Sequence, residues 1–212
     1  MILALDTTSD LGSIALVEDG RTVEEEVLRS PDGFGHVLFQ HIQALLVRHG
    51  VTVDDLDCFA AASGPGSFTG VRVGLAAVKG LAESTGKKVA AVSTLRALAW
   101  FGTAPLRATV IDARRGEVFG AVYNDRLEIA QPETVMKYEA WLQALPAGVQ
   151  IVSAITAPRP LASAVGRIGW RDWNAGRATG PEAVDANYVR RSDAELFWKE
   201  KSATPSPSEQ NG

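Results

Sequence analysis

The sequence predicts an α/β protein built from two related halves. In the opening unit an apolar strand ends at Asp6, and a short turn leads through Gly12 into a second apolar strand. Residues 108–126 repeat this plan. Asp112 takes the place of Asp6 in the repeat. Gly116 takes the place of Gly12. The repeat predicts two halves that face each other, and a chance similarity between two hairpins stays open as the alternative.

The other elements of the first half alternate between strand and helix, as expected for an α/β layer structure. They are predicted as a strand with an exposed acidic face at 22–30, a helix at 35–48, a strand running into a turn at 57–66, a helix from Gly70 that ends at Gly86, a strand at 88–92 and a short helix capped by Ser93.

The pattern weakens after residue 126. Residues 149–155 predict a strand, and residues 178–200 predict a helix, a Tyr-Val-Arg turn and a last amphipathic segment. The predicted division is a first half at 1–104, a smaller second half at 105–200 whose last helix packs back on the first half, and a disordered tail at 201–212.

Composition narrows the function classes. The chain has 212 residues, 46% hydrophobic side chains and a net charge of −4, which predicts a soluble protein without unaided tight binding to nucleic acid. Cys58 is the only cysteine, so no intramolecular disulfide can form and a reducing compartment is expected. The sequence shows no signal-peptide pattern and no apolar run of the roughly 20 residues that a membrane span needs. We therefore expect a cytoplasmic protein that does not act at a membrane.

The stretch SGPGSFTGVRVGL at 63–75 places a glycine-rich turn between a strand and a helix. Such a turn can hold a phosphate at the free N–H groups of the helix. However, GPGSFTGVR lacks the lysine of a P-loop, and its glycine spacing does not match the dinucleotide fingerprint. The spacing therefore favours a structural turn.

The helix after this turn carries small residues four apart, at Gly70 and Gly74 and again at Ala76 and Gly80. Residues four apart lie on one helix face, so another element can approach that face closely. Two interpretations remain equally open. The face packs on the sheet of the same chain, or part of it packs on a partner protein.

Several polar residues are candidates for chemistry. Asp6 and Asp112 stand at strand ends, where a carboxylate can approach a metal–nucleotide complex or satisfy turn amides. Thr7 and Thr8 could donate to a phosphate, although Thr8 occupies the place where a phosphate hairpin needs glycine. Arg115 could bind an anion. The three histidines are spaced five and eight residues apart, which does not suit metal ligation from one helix.

Together with ILALDTTSDLGSIAL, DARRGEVFGAVY and NYVRRSDAE, the run SGPGSFTGVRVGL resembles the bacterial TsaB family. The resemblance covers roughly residues 1–200 and is thin between 127 and 178. It implies the duplicated actin/hexokinase/Hsp70-like (ASKHA) fold, with two ribonuclease-H-like halves. It also places the chain among the glycoprotease-like proteins, although nothing in the sequence supports proteolysis.

The resemblance implies a noncatalytic dimerisation subunit of the machinery that makes threonylcarbamoyladenosine in tRNA. Its partners would be a catalytic TsaD-like subunit, a TsaE-like ATPase subunit and, in isolation, a second copy of itself, with tRNA bound mainly through the complex. The sister subunit's metal-binding histidines correspond here to Thr94 and Leu98, so no metal site and no catalytic residue are expected. No tightly bound cofactor is expected either, and ATP or ADP would bind only at the complex interface.

The family's docking helices correspond to residues 35–48 and 70–85. The residues expected to contact the partner are His36, Phe39, Gln40, Gly70, Val73, Gly74, Ala77, Gly80 and Leu81. A vestigial nucleotide site would comprise Asp6, Thr7, Thr8, Asp112 and Arg115. The alternative is an ASKHA-fold ATPase or small-molecule kinase that uses Asp6 and Asp112 around Mg-ATP.

Overall fold

The computed structural model describes residues 1–29, 31–154 and 160–189. In this part of the chain, one sheet has the order β3-β2-β1-β4-β5. Its strands are β1 at Ile2–Asp6, β2 at Leu11–Glu18, β3 at Arg21–Arg29, β4 at Cys58–Ala62 and β5 at Lys88–Val92. β1, β2 and β3 form an antiparallel meander, and β1, β4 and β5 are parallel.

The second sheet has the order β8-β7-β6-β9. Its strands are β6 at Leu106–Arg114, β7 at Glu117–Asn124, β8 at Ile129–Lys137 and β9 at Gln150–Ser153. β6, β7 and β8 are antiparallel neighbours, whereas β6 and β9 are parallel. This pairing repeats that of the first sheet as far as its fourth strand, so the predicted duplicated fold with two ribonuclease-H-like halves is confirmed.

Helices cover both faces of the first sheet. The helices α1 at Leu38–Arg48 and α2 at Phe68–Thr85 share one buried apolar cluster with β1, β2 and β4. On the opposite face, α5 at Ala162–Asn174 packs on the sheet. Two shorter helices, α3 at Thr94–Ala99 and α4 at Tyr138–Gln143, pack on the second sheet. The strands β1, β2 and β4 are buried on both faces and therefore appear as largely apolar runs in the sequence.

Helix α5 was not predicted, because its sequence ASAVGRIGWRDWN interrupts the apolar pattern with glycines. The structure shows why the glycines are there. A Cβ atom at Gly166 would lie 2.5 Å from Cγ2 of Val17, and one at Gly169 would lie 2.7 Å from Cβ of Ala60. The backbone of α5 therefore approaches the sheet as closely as it does only because these positions lack side chains.

The predictions for the end of the chain are partly wrong. Instead of a helix from residue 178, the chain runs extended, and Thr179 exchanges two backbone hydrogen bonds with Val89 of β5. Only a 3₁₀ turn at Pro181–Ala183 follows. The backbone pairs with an open sheet edge there, and that pairing satisfies its hydrogen bonds without a helix. The predicted last segment and tail lie outside the described residues, and the predicted division into halves stays a prediction.

The sequence also missed β8 and α4, and it placed the start of α1 at 35 where the structure has Leu38. Apart from Trp141, both missed elements are exposed or half-buried, so they lack a strong apolar period. Among the helices that the structure describes, none combines the length and the apolar composition that a membrane crossing needs.

Candidate functional site

The first hairpin turns at Asp6, whose side chain is fully buried. Its Oδ1 accepts hydrogen bonds from the backbone N–H of Thr8 at 2.9 Å and from the Thr8 hydroxyl at 2.6 Å. The hydroxyl of Thr7 donates to the carbonyl oxygen of Gly70 in α2 at 2.7 Å. Both threonine hydroxyls therefore act inside the chain. These contacts and the burial of both side chains do not favour a bond to a phosphate, which stays a prediction.

The Gly-Pro-Gly turn lies directly against this hairpin. The N–H of Ser67 donates to the Thr8 carbonyl oxygen at 2.7 Å, and a Cβ atom at Gly66 would lie 2.5 Å from the same oxygen. On its other side, the carbonyl oxygen of Gly64 accepts from the N–H of Thr94 at 2.8 Å. The Gly64–Pro65 peptide bond is cis. The turn is thus fixed by backbone contacts on both sides, as the structural interpretation predicted.

The small residues of α2 do not form one outward face. A Cβ atom at Gly70 would lie 1.9 Å from the Thr7 carbonyl oxygen, and one at Gly74 would lie 2.5 Å from the Thr7 hydroxyl. Ala77 is also buried in the apolar cluster under α2. The small size of these three residues serves packing within the chain, and a partner contact at them stays a prediction. Gly80 differs, since a Cβ atom there would meet nothing within 4 Å.

The rest of the predicted docking residues form an outward surface, which we call the α1–α2 surface. His36, Phe39 and Gln40 are exposed, Gly80 is exposed, and Val73 and Leu81 are half-buried. Phe39 keeps 54% of its surface exposed, and Val47, two turns further along α1, keeps 70%. Exposed large apolar side chains on neighbouring helices are typical of a protein interaction site. Whether a partner covers this surface stays a prediction.

The acidic face of β3 contacts α1. Arg48 pairs with Glu24 at 2.7 Å and also with Glu26. His49 contacts Glu24 at 2.7 Å, and His41 contacts Glu26. Hydrogen bonds from Arg48 and His49 lower the pKa of Glu24. These contacts fix α1 on the edge strand, and they leave His36 as the histidine for which no such pairing is seen among the described residues.

The second hairpin is open to solvent. Oδ1 of Asp112 accepts the N–H of Arg114 at 2.8 Å, which repeats the Asp6–Thr8 contact of the first half. Arg115 is exposed beside it. The predicted match of Gly116 with Gly12 is wrong by one position: Asp112 pairs with Val118 as Asp6 pairs with Ser13. In this register Glu117 is the residue equivalent to Gly12, while Gly116 lies in the turn with φ of +71°. Of the five residues predicted for a nucleotide site, Asp6, Thr7 and Thr8 lie together in the first hairpin. Asp112 and Arg115 lie in the second hairpin.

A pocket of about 360 Å³ opens at the N-terminus of α2. It lies between the first hairpin and the loop before α1, and its lining includes Ser67, Thr69 and His36. The same lining contains Asp10 and Asp32. Two carboxylates disfavour a phosphate at this helix end unless a metal ion balances their charge, and nucleotide binding here stays a prediction.

A smaller, mostly apolar cavity of about 130 Å³ lies beside the turn. Its lining joins Pro65 and Phe68 to Phe119 of the second sheet and to Tyr188. Arg72 lies 3.8 Å from the centroid of the Phe68 ring and donates to the Tyr188 hydroxyl at 3.1 and 3.2 Å. Sequence reasoning missed this group. The Tyr-Val-Arg motif was its only signal.

A buried hydrogen-bond chain holds the same region. The Tyr123 hydroxyl donates to Glu133 at 2.6 Å, and the Asn187 amide donates to the other oxygen of Glu133 at 2.6 Å. Burial, together with the charge of Glu133, raises the pKa of Tyr123. The N–H of Asn187 also donates to the Ser63 carbonyl oxygen at 2.7 Å. These bonds join the second sheet to the Gly-Pro-Gly turn through the end of the described chain.

The positions that the resemblance assigns to metal ligands lie in α3. Thr94 is 1% exposed and Leu98 is fully buried. Ser93 caps the helix, as predicted, because its hydroxyl accepts from the N–H groups of Leu95 and Arg96. A leucine has no atom that ligates a metal. Both side chains therefore take part in packing.

Known proteins match the chain in sequence and structure. A family model described as "TsaD: tRNA N6-adenosine threonylcarbamoyltransferase" matches residues 34–170. The tRNA threonylcarbamoyladenosine biosynthesis protein TsaB of Escherichia coli is 37% identical over 126 residues, which are 58% of this chain and 54% of that protein. TsaB of Bacillus subtilis is 33% identical over 149 residues, which are 68% of this chain and 65% of that protein. The match thus spans about half to two thirds of these relatives' length.

Solved structures agree. YeaZ from Pseudomonas aeruginosa superposes with a TM-score of 0.75 at 27% identity, covering 88% of this chain and 98% of that one. An uncharacterised Pseudomonas aeruginosa protein with similarity to peptidase YeaZ superposes with a TM-score of 0.76 at 29% identity, covering 89% and 99%. With the family model, these matches show that the chain belongs to the TsaB family, within the glycoprotease-like group that the TsaD model describes.

Proposed function

We propose that this chain is a noncatalytic scaffold subunit in the biosynthesis of threonylcarbamoyladenosine in tRNA. It binds a TsaD-like threonylcarbamoyltransferase through the α1–α2 surface and stabilises the active form of that enzyme. The observation that carries the proposal is this surface: Phe39 and Val47 are exposed on α1, and Gly80 is exposed on α2, which shares a buried cluster with α1. The names of the matched relatives support the pathway.

The first hairpin supports a noncatalytic role. Asp6, Thr7 and Thr8 are buried and bonded to one another or to α2, so their polar groups are already used within the chain. The pocket at the N-terminus of α2 carries Asp10 and Asp32, which oppose a phosphate. A nucleotide therefore binds, in this proposal, only where the partner supplies cationic groups. Thr94 and Leu98, which the resemblance matches to the metal-binding histidines of the sister subunit, are buried.

The first experiment measures the mass of the purified chain by light scattering, alone and mixed with the TsaD-like protein of the same cell. We expect a one-to-one complex in the mixture and either a monomer or a dimer of the chain alone. Absence of a complex with and without ATP, together with ATP turnover by the isolated chain, would overturn the proposal in favour of an ATPase or kinase.

The interface is tested with Gly80→Leu and Phe39→Asp. Gly80 is a better position than Gly74, because a side chain at 74 would collide with Thr7 and disturb the fold itself. Ile129→Asp is the matched control, since Ile129 is 62% exposed on β8, away from both helices. We expect the two interface variants to weaken the complex at least about tenfold, a typical effect at the centre of an interface, while the control binds as the wild type does.

A further inference from the structure

Two arginines of α5 lie close to one tryptophan at the end of α3. The guanidinium carbon of Arg167 is 4.7 Å from the centroid of the Trp100 ring, and that of Arg171 is 4.9 Å from it. We call these three residues the Arg–Trp cluster. Each distance lies within the range of a cation–π interaction, in which the negative face of the ring attracts the cation. The ring thereby holds two positive charges near each other.

Among the described residues, neither arginine of the cluster forms an ion pair with a carboxylate. Other arginines do: Arg48 pairs with Glu24, and Arg177 pairs with Asp172. In addition, Nε of Arg167 is buried without a hydrogen-bond partner in the part of the chain that the structure describes. Two clustered like charges without carboxylate partners favour an anionic ligand at the part of the guanidinium groups that solvent reaches.

Two carboxylates that approach α5 already have hydrogen-bond partners. Glu25 of β3 accepts the N–H of Ser163 at 2.8 Å. The one carboxylate of this helix belongs to Asp172, which is 7% exposed and bonded to Arg96 and Arg177. The less buried positions of the helix carry neutral or basic side chains, namely Ser163, Arg167, Trp170, Arg171, Trp173 and Asn174. This basic and aromatic face stands out in a chain whose net charge is −4.

We propose that the Arg–Trp cluster binds the phosphate backbone of the tRNA substrate. The planar, forked guanidinium matches a phosphate, and it stays charged at every physiological pH. Aromatic rings interleaved with arginines are typical of surfaces that contact nucleic acid. The tRNA identity rests on the proposed function, whereas the preference for a polyanion rests on the cluster alone. The face lies on the opposite side of the first sheet from α1 and α2, so a partner on the α1–α2 surface leaves it accessible.

The test measures binding of fluorescently labelled, unmodified tRNA to the full chain and to its complex with the TsaD-like protein, by anisotropy over a range of KCl concentrations. The variant is Arg167→Gln with Arg171→Gln. Arg29→Gln with Arg126→Gln is the matched control, because it removes the same charge from exposed positions on β3 and beside β7. Arg171→Gln alone serves as a second variant, since Arg171 is exposed and its loss leaves the packing of Arg167 intact.

We expect the double variant to weaken tRNA binding about tenfold and to reduce the slope of log K against log[KCl] by about 1.5, as two lost phosphate contacts predict. The single variant should give roughly half of this slope change. Equal binding by the double variant and wild type would overturn the proposal. So would an equal loss in the control, or equal competition by polyglutamate or anionic lipid vesicles, since the cluster would then bind any polyanion.

This result is distinguishable from failure of the proposed function. If the double variant forms the complex with the TsaD-like protein but keeps full tRNA affinity, the proposal of tRNA binding by the Arg–Trp cluster is wrong, and the scaffold proposal stands. If no complex forms while the isolated chain still loses tRNA binding with the two arginines, the scaffold is wrong and the cluster stands.

Discussion

The two hairpins of the duplicated fold share one hydrogen bond, but they differ in how deeply that bond is buried. In each, the aspartate at the strand end accepts the N–H of the residue two positions on, at 2.9 Å in the first half and 2.8 Å in the second. The first hairpin is then covered by α2, so Asp6 is fully buried. The second remains open, and Asp112 is exposed. The same local turn is therefore a core element in one half and a surface loop in the other.

The sequence next to each aspartate explains this difference. Thr7 and Thr8 follow Asp6, and their hydroxyls satisfy a carbonyl of α2 and the aspartate itself. Ala113 and Arg114 follow Asp112. Ala113 has no hydroxyl to donate, and Arg114 has a positive φ of 68° and a charged side chain that favours solvent. A hairpin can be buried only if its polar groups find partners, and the first hairpin finds them in α2 and in its own side chains.

Gly70→Ala should have the largest effect, because it disturbs the contact that buries the first hairpin under α2. The added Cβ would lie 1.9 Å from the Thr7 carbonyl oxygen, so α2 and the hairpin cannot keep their contact. We expect a loss of at least about 3 kcal/mol in the free energy of unfolding, measured by urea denaturation. The control is Gly80→Ala in the same helix, where space is open. It should stabilise the protein by roughly 0.5–1 kcal/mol. Equal effects at both sites would show that the packing described here is wrong.

Asp6→Ala and Asp112→Ala compare the two equivalent bonds directly. At Asp6 the substitution leaves the buried Thr8 N–H and hydroxyl without their acceptor, which should cost about 3 kcal/mol. At Asp112 water can replace the lost acceptor, so the cost should stay below about 1 kcal/mol. Thermal and urea unfolding of both variants measure this difference. Similar losses in the free energy of unfolding would mean that the two hydrogen bonds do not differ in strength because of burial.

Thr8→Val tests the hydroxyl alone, because valine keeps the shape and the backbone N–H. Loss of the 2.6 Å bond to Asp6 should cost about 1–2 kcal/mol. Arg114→Asn at the equivalent place of the second hairpin, where asparagine tolerates the positive φ, should change stability by only about 0.5 kcal/mol. Hydrogen exchange at residue 8 gives a second readout. An unchanged exchange rate together with unchanged stability would contradict the bond.

Glu25→Gln sharpens the electrostatic side of the comparison. Glu25 accepts the N–H of Ser163 at 2.8 Å near the buried hairpin, and burial, together with the charge of Asp6, raises its pKa above 4.5. Folding stability of the wild type should therefore fall as pH rises from 4.5 through the raised pKa, since the folded state holds the proton more tightly. The Glu25→Gln variant has no carboxyl group at this position, so it lacks this fall in stability. We expect its stability relative to wild type to increase over that interval, as measured by urea unfolding between pH 4 and 7. A difference that does not change with pH would exclude the effect.

The α2 glycines show where sequence reasoning stopped. Spacing established that Gly70 and Gly74 share a face and that something approaches it closely, but spacing is the same for a neighbour in the chain and for a partner. The structure identifies that neighbour as Thr7. In α5, the sequence showed glycines only as a weak helix pattern. The close approach to Val17 and Ala60 could not be predicted, because those residues are about 150 and 110 positions away in the sequence.

The sequence by itself determined the strand–Asp–turn repeat, most first-half elements and the caps of α2 and α3. These depend on apolar period, glycine at helix ends and serine at helix starts, which act over a few residues. Tertiary structure alone decided that one hairpin is buried and the other open, that α5 crosses back to the first sheet, and that Arg167 and Arg171 meet at Trp100. The physical reason is that these features join residues far apart in sequence, where only the completed fold brings charges and packing surfaces together.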